Sequence, residues 1–243
     1  MNLRTSILLF IPLLSGCSAG VKTDIKSVSK TVTTTEYLVL NEDFARLDTI
    51  HKQRTIEKYD SNNNVLEEMD FLGKDLTCIG GYIYKYNDDG KKVEEYSVNK
   101  ENEVVCKEIF SYSNNACEKI RIFADGKRTR SGSSYYDAKG NQVKQIHYYQ
   151  DSTIMMETYY KYNSAKQEIE QGGTLDGKPK SIRFRKYDSN ANISEQRTVD
   201  KNGNESIEKF AYEGFDNKGN WTVRKSTIDN IPHSVTMQSI EYK

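Results

Sequence analysis

Apolar and polar residues alternate imperfectly along this chain, in short runs that end at turn-forming residues. The runs are rich in β-branched and aromatic residues, as in Leu76 to Tyr86, Val104 to Tyr112 and Ile193 to Val199. Turn signals fall about every 12 or 13 residues, which is typical of short β-strands joined by tight turns. The pattern therefore predicts an all-β protein.

One turn signal recurs in a recognisable form, an aromatic residue followed by Asp, Asn or Ser and then by polar or small residues. Its fullest example is Tyr136-Asp137-Ala138-Lys139-Gly140-Asn141. The aromatic position is occupied by Tyr59, Tyr86, Tyr112, Tyr136, Tyr162, Tyr187 and Phe215. Asp and Asn bond nearby backbone groups and Gly accepts positive φ, so each unit predicts a turn. A looser turn lies between successive units, giving two strands per repeat of about 26 residues.

In an up-and-down meander, alternate turns lie on opposite edges of the sheet. The seven aromatic turns are therefore expected along one edge, and these aromatic residues are the candidate binding edge and adjoining face. Tyrosine provides a large contact area at low entropic cost, although any single tyrosine more often serves only to cover the sheet.

Apolar and charged side chains occur on both faces of the predicted strands, as in Val143 to Tyr148. A β-sandwich would instead show one cleanly apolar face. The composition is 36% hydrophobic and 29% charged, which is lean for a deep core, and 17 tyrosines partly compensate. The expected fold is an elongated, twisted antiparallel meander of about 12–14 short strands, single-layered or curling into an open spiral or barrel.

The first 16 residues are typical of an export signal. Arg4 precedes the apolar stretch from Ile7 to Leu14, which is too short to span a bilayer. Leu14-Ser15-Gly16-Cys17 resembles the lipobox of bacterial lipoproteins, and this resemblance implies that Cys17 is acylated and holds the protein on a membrane. Ser18 at the next position suggests sorting to the outer membrane, by resemblance to enteric lipoproteins.

These features predict four segments. Residues 1–16 are the signal peptide, and residues 17–35 are the lipidated cysteine and its tether, which ends in a strand. Residues 36–58 are irregular, with a short helix after Asn41, and residues 59–243 form the repeat domain. The 35 basic and 35 acidic residues are well mixed, whereas a nucleic-acid-binding protein usually presents a basic face.

The usual signatures of metal and cofactor sites are missing from the sequence. His51, His147 and His233 stand alone, and no glycine-rich phosphate loop is convincing, so neither a metal nor a cofactor is expected. The segments starting at Asp60 and Asp200 match only the first half of a calcium loop, and turn chemistry explains them better.

The cysteines and paired glycines have structural interpretations. A turn at Asn114-Asn115 places Cys117 opposite Tyr112 and Cys106 opposite Phe123, too far apart for a disulfide, so Cys106 and Cys117 are expected to be free. Cys78 would be the unpaired third. The pairs Gly80-Gly81 and Gly172-Gly173 lie within strand-like runs, where glycine often marks a bulge or bend.

The repeated turns, together with the segment from Phe215 to Arg224, resemble YD-repeat (RHS-like) proteins. They look most like the small YD-repeat lipoproteins of Bacteroidetes-type Gram-negative bacteria, and the likeness covers about residues 59 to 243. The resemblance implies a strand-turn architecture and no catalytic residues. In large members of the family the sheet spirals into a hollow shell, but this chain has too few repeats to enclose a cargo.

Three functions remain open on the sequence. The first is a non-enzymatic, lipid-anchored binding or scaffolding module of the outer membrane, with a glycan or another envelope protein as partner. The second is an envelope hydrolase with a site near His147 and Glu157. The third is a toxin immunity or inhibitor protein, suggested by the proteins that accompany large YD-repeat toxins.

Overall fold

The computed structural model describes residues 28–243, which form a closed antiparallel β-barrel. Eighteen strands are present in this part of the chain, and sixteen of them make the ring. The strands are β1 (Lys30–Leu40), β2 (Asp43–Leu47), β3 (Gln53–Tyr59), β4 (Val65–Leu72), β5 (Thr77–Tyr86), β6 (Lys92–Val98), β7 (Val104–Ser113), β8 (Ala116–Phe123), β9 (Arg128–Tyr136), β10 (Gln142–Tyr148), β11 (Ile154–Tyr162), β12 (Glu168–Leu175), β13 (Lys178–Pro179), β14 (Ile182–Tyr187), β15 (Ile193–Val199), β16 (Glu205–Phe215), β17 (Trp221–Ile228) and β18 (Ile231–Tyr242).

The ring closes because the first strand pairs with both the third and the last. Lys30 of β1 lies opposite Tyr59 of β3 on one side and Tyr242 of β18 on the other. The remaining strands follow in chain order, with the short β2 and β13 attached to this ring. The all-β meander and the barrel alternative are confirmed, whereas the single-layered sheet and the open spiral are wrong.

The N-terminal part of the prediction needs correction. Residues 36–58 are not an irregular segment before a domain boundary, since β1 and β3 are full members of the ring. The helix predicted after Asn41 is replaced by a tight reversal into β2, where Asn41 and Glu42 have φ values of 54° and 58°. The barrel also has more strands than the 12–14 predicted. The signal peptide and Cys17 lie outside the described residues.

The recurring turns share one hydrogen-bond pattern. In the unit from Asp137 to Asn141, Oδ1 of Asp137 accepts from the backbone N–H of Lys139 and of Asn141, at 2.8 and 2.9 Å. The Asn141 side chain donates to Oδ2 of Asp137, and this bond helps to hold the pKa of Asp137 below its usual range. Gly140 supplies the positive φ of 82° that the reversal requires. Asp188, Asp200 and Asp216 head turns of the same design.

Ladder partners share a face of the sheet, so the pairing traces one inner and one outer surface around the barrel. Lys119, His147 and Glu108 belong to the same surface although they lie on β8, β10 and β7. Burial is the main cause that lowers the pKa of both Lys119 and His147, whereas on the other face the pKa of Glu157 is governed by its ion pair, so we assign the surface of Lys119 and His147 to the concave inner wall. The inner wall is therefore polar and charged.

The outer surface combines ion pairs with a small apolar core. Glu94 pairs with Lys107, Glu118 with Arg130 at 2.7 Å, and Glu157 with Lys144 at 2.7 Å. An apolar cluster of Ile83, Tyr96 and Val98 lies among these pairs, with Met69 and Val104 packed against it. The Lys85 and Lys107 amines lie about 5 Å above the Tyr96 ring and cover the cluster. Residues 28–243 contain no helix long and apolar enough to cross a membrane.

The two glycine pairs have different causes. Gly80 has a φ of 122° and lies beside a shift in register between β4 and β5, which confirms the predicted bulge. Gly172 and Gly173 pair with β11 without a shift in register, but on their other side the register shifts by one residue between Gln171↔Arg183 and Thr174↔Pro179, so the irregularity predicted at this pair is confirmed on that side. A Cβ at Gly173 would clash with the Glu157 carbonyl oxygen and approach Thr158 Cα to 3.0 Å. Close approach of the neighbouring backbone therefore requires glycine.

Candidate functional site

A cavity of about 730 Å³ opens at the rim of the barrel that carries the aromatic turns, here called the mouth cavity. Three aromatic rings line it, those of Tyr59, Phe215 and Trp221. Side-chain amides line it as well, from Asn190, Asn192, Asn220 and Gln238. The remaining lining residues are Lys30, Val32, Gly219 and Ile240.

The cavity forms where the seventh repeat departs from the others. Phe215 occupies the position of the repeat tyrosine and cannot donate a hydrogen bond, so it is left 53% exposed. Tyr212, three residues earlier in β16, donates instead to the Ile193 carbonyl at 3.0 Å. Phe215 lies opposite Trp221 in the ladder, and the Tyr212 and Trp221 rings are 5.6 Å apart. The departure places two large apolar rings beside the opening.

The polar groups of the cavity are held in place by the turns. Asn192 and Asn220 each donate a side-chain hydrogen bond to the aspartate that begins its turn, at 3.3 and 2.9 Å. Lys30 lies 4.4 Å above the Tyr59 ring and donates to Asn63. Lys30 is the only charged residue among those lining the cavity within residues 28–243. Rigid aromatic rings and amides suit an uncharged, hydroxyl-rich ligand.

The seven residues of the predicted binding edge lie near this rim but do not act alike. Tyr86, Tyr112, Tyr162 and Tyr187 donate their hydroxyls to backbone carbonyls of the preceding repeat, at 2.7 to 3.0 Å. These four tyrosines therefore tie neighbouring turns together. Tyr136 is half-buried, and only Tyr59 and Phe215 line the mouth cavity.

Sequence reasoning missed Trp221 and the amides as a group. The available signal was the seventh unit itself, which alone begins with phenylalanine and which is followed by the only tryptophan of the chain.

The structure separates the two residues suggested for the site of an envelope hydrolase, His147 and Glu157. His147 lies opposite Met156 in the ladder and Ile146 lies opposite Glu157, so His147 and Glu157 are on opposite faces of the barrel wall. Glu157 faces outward and pairs with Lys144, which lowers the pKa of the carboxyl group. His147 faces inward, where burial lowers its pKa.

The remaining candidates behave as structural residues. Tyr112 pairs with Cys117 and Cys106 with Phe123, which confirms the predicted register, and Cys78, Cys106 and Cys117 are free thiols. Asp60 Oδ1 accepts two backbone N–H groups at 2.8 and 2.9 Å, and Asp200 does the same. Both segments that resemble part of a calcium loop therefore form the turn of the repeat.

Comparison with known proteins yields structural likeness only. No family model and no curated protein matches the chain. A porin-like protein from Bacteroides uniformis matches with a TM-score of 0.54 at 10% identity, over 88% of this chain and 98% of that one. The Tc holotoxin pore of Photorhabdus luminescens matches with a TM-score of 0.34 at 11% identity, over 76% of this chain and 12% of that one. The first match supports the all-β closed barrel.

Proposed function

We propose that this protein is a lipid-anchored, non-enzymatic binding module of the outer membrane, and that its mouth cavity binds an uncharged glycan. The observation that carries the proposal is the cavity lining. Phe215 and Trp221 offer apolar rings against which the C–H face of a sugar can pack. The amides of Asn190, Asn192 and Gln238 can donate to and accept from hydroxyl groups.

The entry point of the chain supports this arrangement. Ser29 donates its backbone N–H to the Tyr59 carbonyl at 2.8 Å and accepts from the N–H of Lys243 at 2.9 Å, so the chain joins the barrel at the rim of the mouth cavity. Ser29 is the twelfth residue after Cys17, which gives a reach of about 40 Å at most. An acylated Cys17 would keep the mouth cavity within that distance of the membrane surface.

The charged outer face supports a barrel body that stands clear of the lipid. A lipid-facing barrel surface is apolar, and a charged residue at its midplane costs about 2–4 kcal/mol. Here the outward positions carry ion pairs such as Lys58–Glu67 and Lys144–Glu157, at 2.6 and 2.7 Å. Attachment through acyl chains therefore fits the surface better than insertion of the barrel.

The glycan proposal predicts a loss of binding when the two rings are removed. Trp221→Ala combined with Phe215→Ala should weaken glycan binding by tenfold or more, since each aromatic contact contributes about 0.5–1.5 kcal/mol beyond buried area. Binding would be measured by calorimetry with a ligand chosen from an array of bacterial envelope glycans. The protein used for this measurement would begin at Ser18. It would lack Cys17 but keep every strand of the ring, since the ring begins at Lys30 and closes against Tyr242.

Tyr149→Ala is the matched control, since this tyrosine is 43% exposed at the opposite rim. Equal losses in the control and the double variant, or no binding to any glycan, would refute the proposal. Release of shortened sugar would instead favour the hydrolase, and retention of an envelope protein without glycan binding would favour the protein partner.

The anchor has its own test. Cells supplied with a clickable palmitate analogue should label the wild-type protein, and Cys17→Ala should abolish labelling because it removes the cysteine of the lipobox-like segment. Cys78→Ala should label as the wild type does. Labelling that survives in Cys17→Ala would show that the anchor was assigned wrongly.

A further inference from the structure

Two aliphatic side chains lie side by side in the mouth cavity, below its rim. Val32 of β1 and Ile240 of β18 are direct partners in the ladder that closes the ring, and both line the cavity. Lys30 and Tyr242 form the pair at the rim, two residues away, so the aliphatic pair lies roughly 7 Å deeper. Val32 is only 4% exposed. The cavity therefore contains a small apolar surface that is sheltered from water.

A side-chain amide without a partner lies next to this aliphatic pair. Gln238 is two residues from Ile240 on β18, so the two side chains project from the same face of the strand, and both line the cavity. Gln238 is half-buried, and its side chain makes no hydrogen bond within residues 28–243. Asn192 and Asn220, by contrast, each donate to the aspartate of their own turn. The donors and the acceptor of Gln238 are thus available to a ligand.

An amide beside an aliphatic pair matches the chemistry of an acetamido group. Such a group carries a methyl, a carbonyl oxygen that accepts a hydrogen bond and an N–H that donates one. The methyl can pack on Val32 and Ile240, where its contact with water is lost. The Gln238 amide can donate to the acetamido carbonyl and accept from the acetamido N–H. A hydroxyl at the same place on a sugar offers no methyl to the aliphatic pair.

We propose that the mouth cavity selects N-acetylated hexosamines, with Gln238 as the residue that determines specificity. Val32 and Ile240 receive the acetyl methyl, while the Phe215 and Trp221 rings pack on the sugar ring. This inference rests on the glycan-binding function proposed above and names the class of sugar that the cavity takes.

The test compares two trimers by calorimetry, a β-1,4-linked trimer of N-acetylglucosamine and the β-1,4-linked trimer of glucose. They share linkage and length, and they differ only where an acetamido group replaces a hydroxyl. The protein is purified from cells in a detergent that has no sugar head group. The N-acetylated trimer should bind about tenfold tighter or more, because the glucose trimer leaves both the aliphatic pair and the Gln238 amide without their contacts.

Two variants test the residues that carry the proposal. Gln238→Leu removes the amide and keeps a side chain of similar size. It should weaken binding of the N-acetylated trimer about tenfold, and it should leave binding of the glucose trimer within about twofold. Ile240→Ala removes part of the apolar contact and should weaken binding of the N-acetylated trimer by about threefold or more. The ratio of the two affinities is the measurement that a purely structural role would not change.

Gln53→Leu is the matched control, because Gln53 is an exposed glutamine at the start of β3, at the opposite end of the barrel. It should leave the ratio of the two affinities unchanged. Equal affinity for the two trimers would overturn the acetamido inference and leave glycan binding standing, whereas binding of neither trimer would refute both. An equal loss of preference in Gln238→Leu and Gln53→Leu would also overturn the inference. Thermal denaturation of each variant distinguishes lost binding from lost structure.

Discussion

Replacing Gly173 by alanine is expected to lower the free energy of unfolding by about 3 kcal/mol. A Cβ at this position would overlap the Glu157 carbonyl oxygen and crowd Thr158 Cα at 3.0 Å. Both are backbone atoms of β11, so relief requires β11 and β12 to separate within their shared ladder. The measurement is denaturant unfolding followed by circular dichroism. The slope of the unfolding free energy against denaturant concentration is compared between variants.

Gly172→Ala is a closely matched control for this prediction. A Cβ there would meet only the side chain of Ile182, at 3.3 Å, and Ile182 is 39% exposed and able to move. Alanine in a strand also loses less backbone entropy than glycine on folding, by roughly 0.5–1 kcal/mol. Gly172→Ala should therefore remain within about 1 kcal/mol of the wild type. Similar losses at both positions would show that close approach of the backbone is not the reason for this glycine pair.

The sequence predicted the local structure well because the relevant forces act between near neighbours. The unit from Asp137 to Asn141 forms a turn through its own backbone and side chains, and the register of Cys117 opposite Tyr112 follows directly from the short turn between them. Those contacts span only a few residues, so the residue types determine them.

Ring closure could not be predicted in the same way. It depends on pairing Lys30 with Tyr242, residues from opposite ends of the described chain. Alternation of apolar and polar residues with a period of two does not specify which strands are neighbours. Charged residues also occur on both faces of the strands, so no pattern in the sequence marked the face that would become the inner wall. The mouth cavity depends on closure, because it joins Lys30 and Tyr59 to the distant turns at Asn192 and Asn220.

The largest cumulative effect is expected from the tyrosine hydroxyls that tie the repeats together. Tyr86, Tyr112, Tyr162, Tyr187 and Tyr212 each donate to a backbone carbonyl about 20 residues earlier, at 2.7 to 3.0 Å. A neutral hydrogen bond contributes about 1 kcal/mol, and separated sites add, so changing all five to phenylalanine should cost about 5 kcal/mol. Because single domains are stable by only about 5–15 kcal/mol, the five-fold variant should be close to unfolding at room temperature.

Alkaline pH should act on the same five hydroxyls. Burial raises the pKa of each of these tyrosines, so their contribution is complete below the unfolded-state pKa of about 10 and declines as the pH rises above it. The wild type should therefore lose stability above about pH 10, and the five-fold variant should lose less over the same interval, the remainder coming from tyrosines such as Tyr59 and Tyr84 whose pKa burial also raises. Tyr149→Phe with Tyr159→Phe is the control, since their hydroxyls donate to the carboxylates of Asp176 and Glu157 and not to backbone carbonyls. The control pair could instead lower the free energy of unfolding by as much per hydroxyl as the five-fold variant does. The hydrogen bonds to the preceding repeat would then have no special role, and the recurring tyrosine would be needed for its ring alone. The link between successive turns would have to come from the backbone ladder.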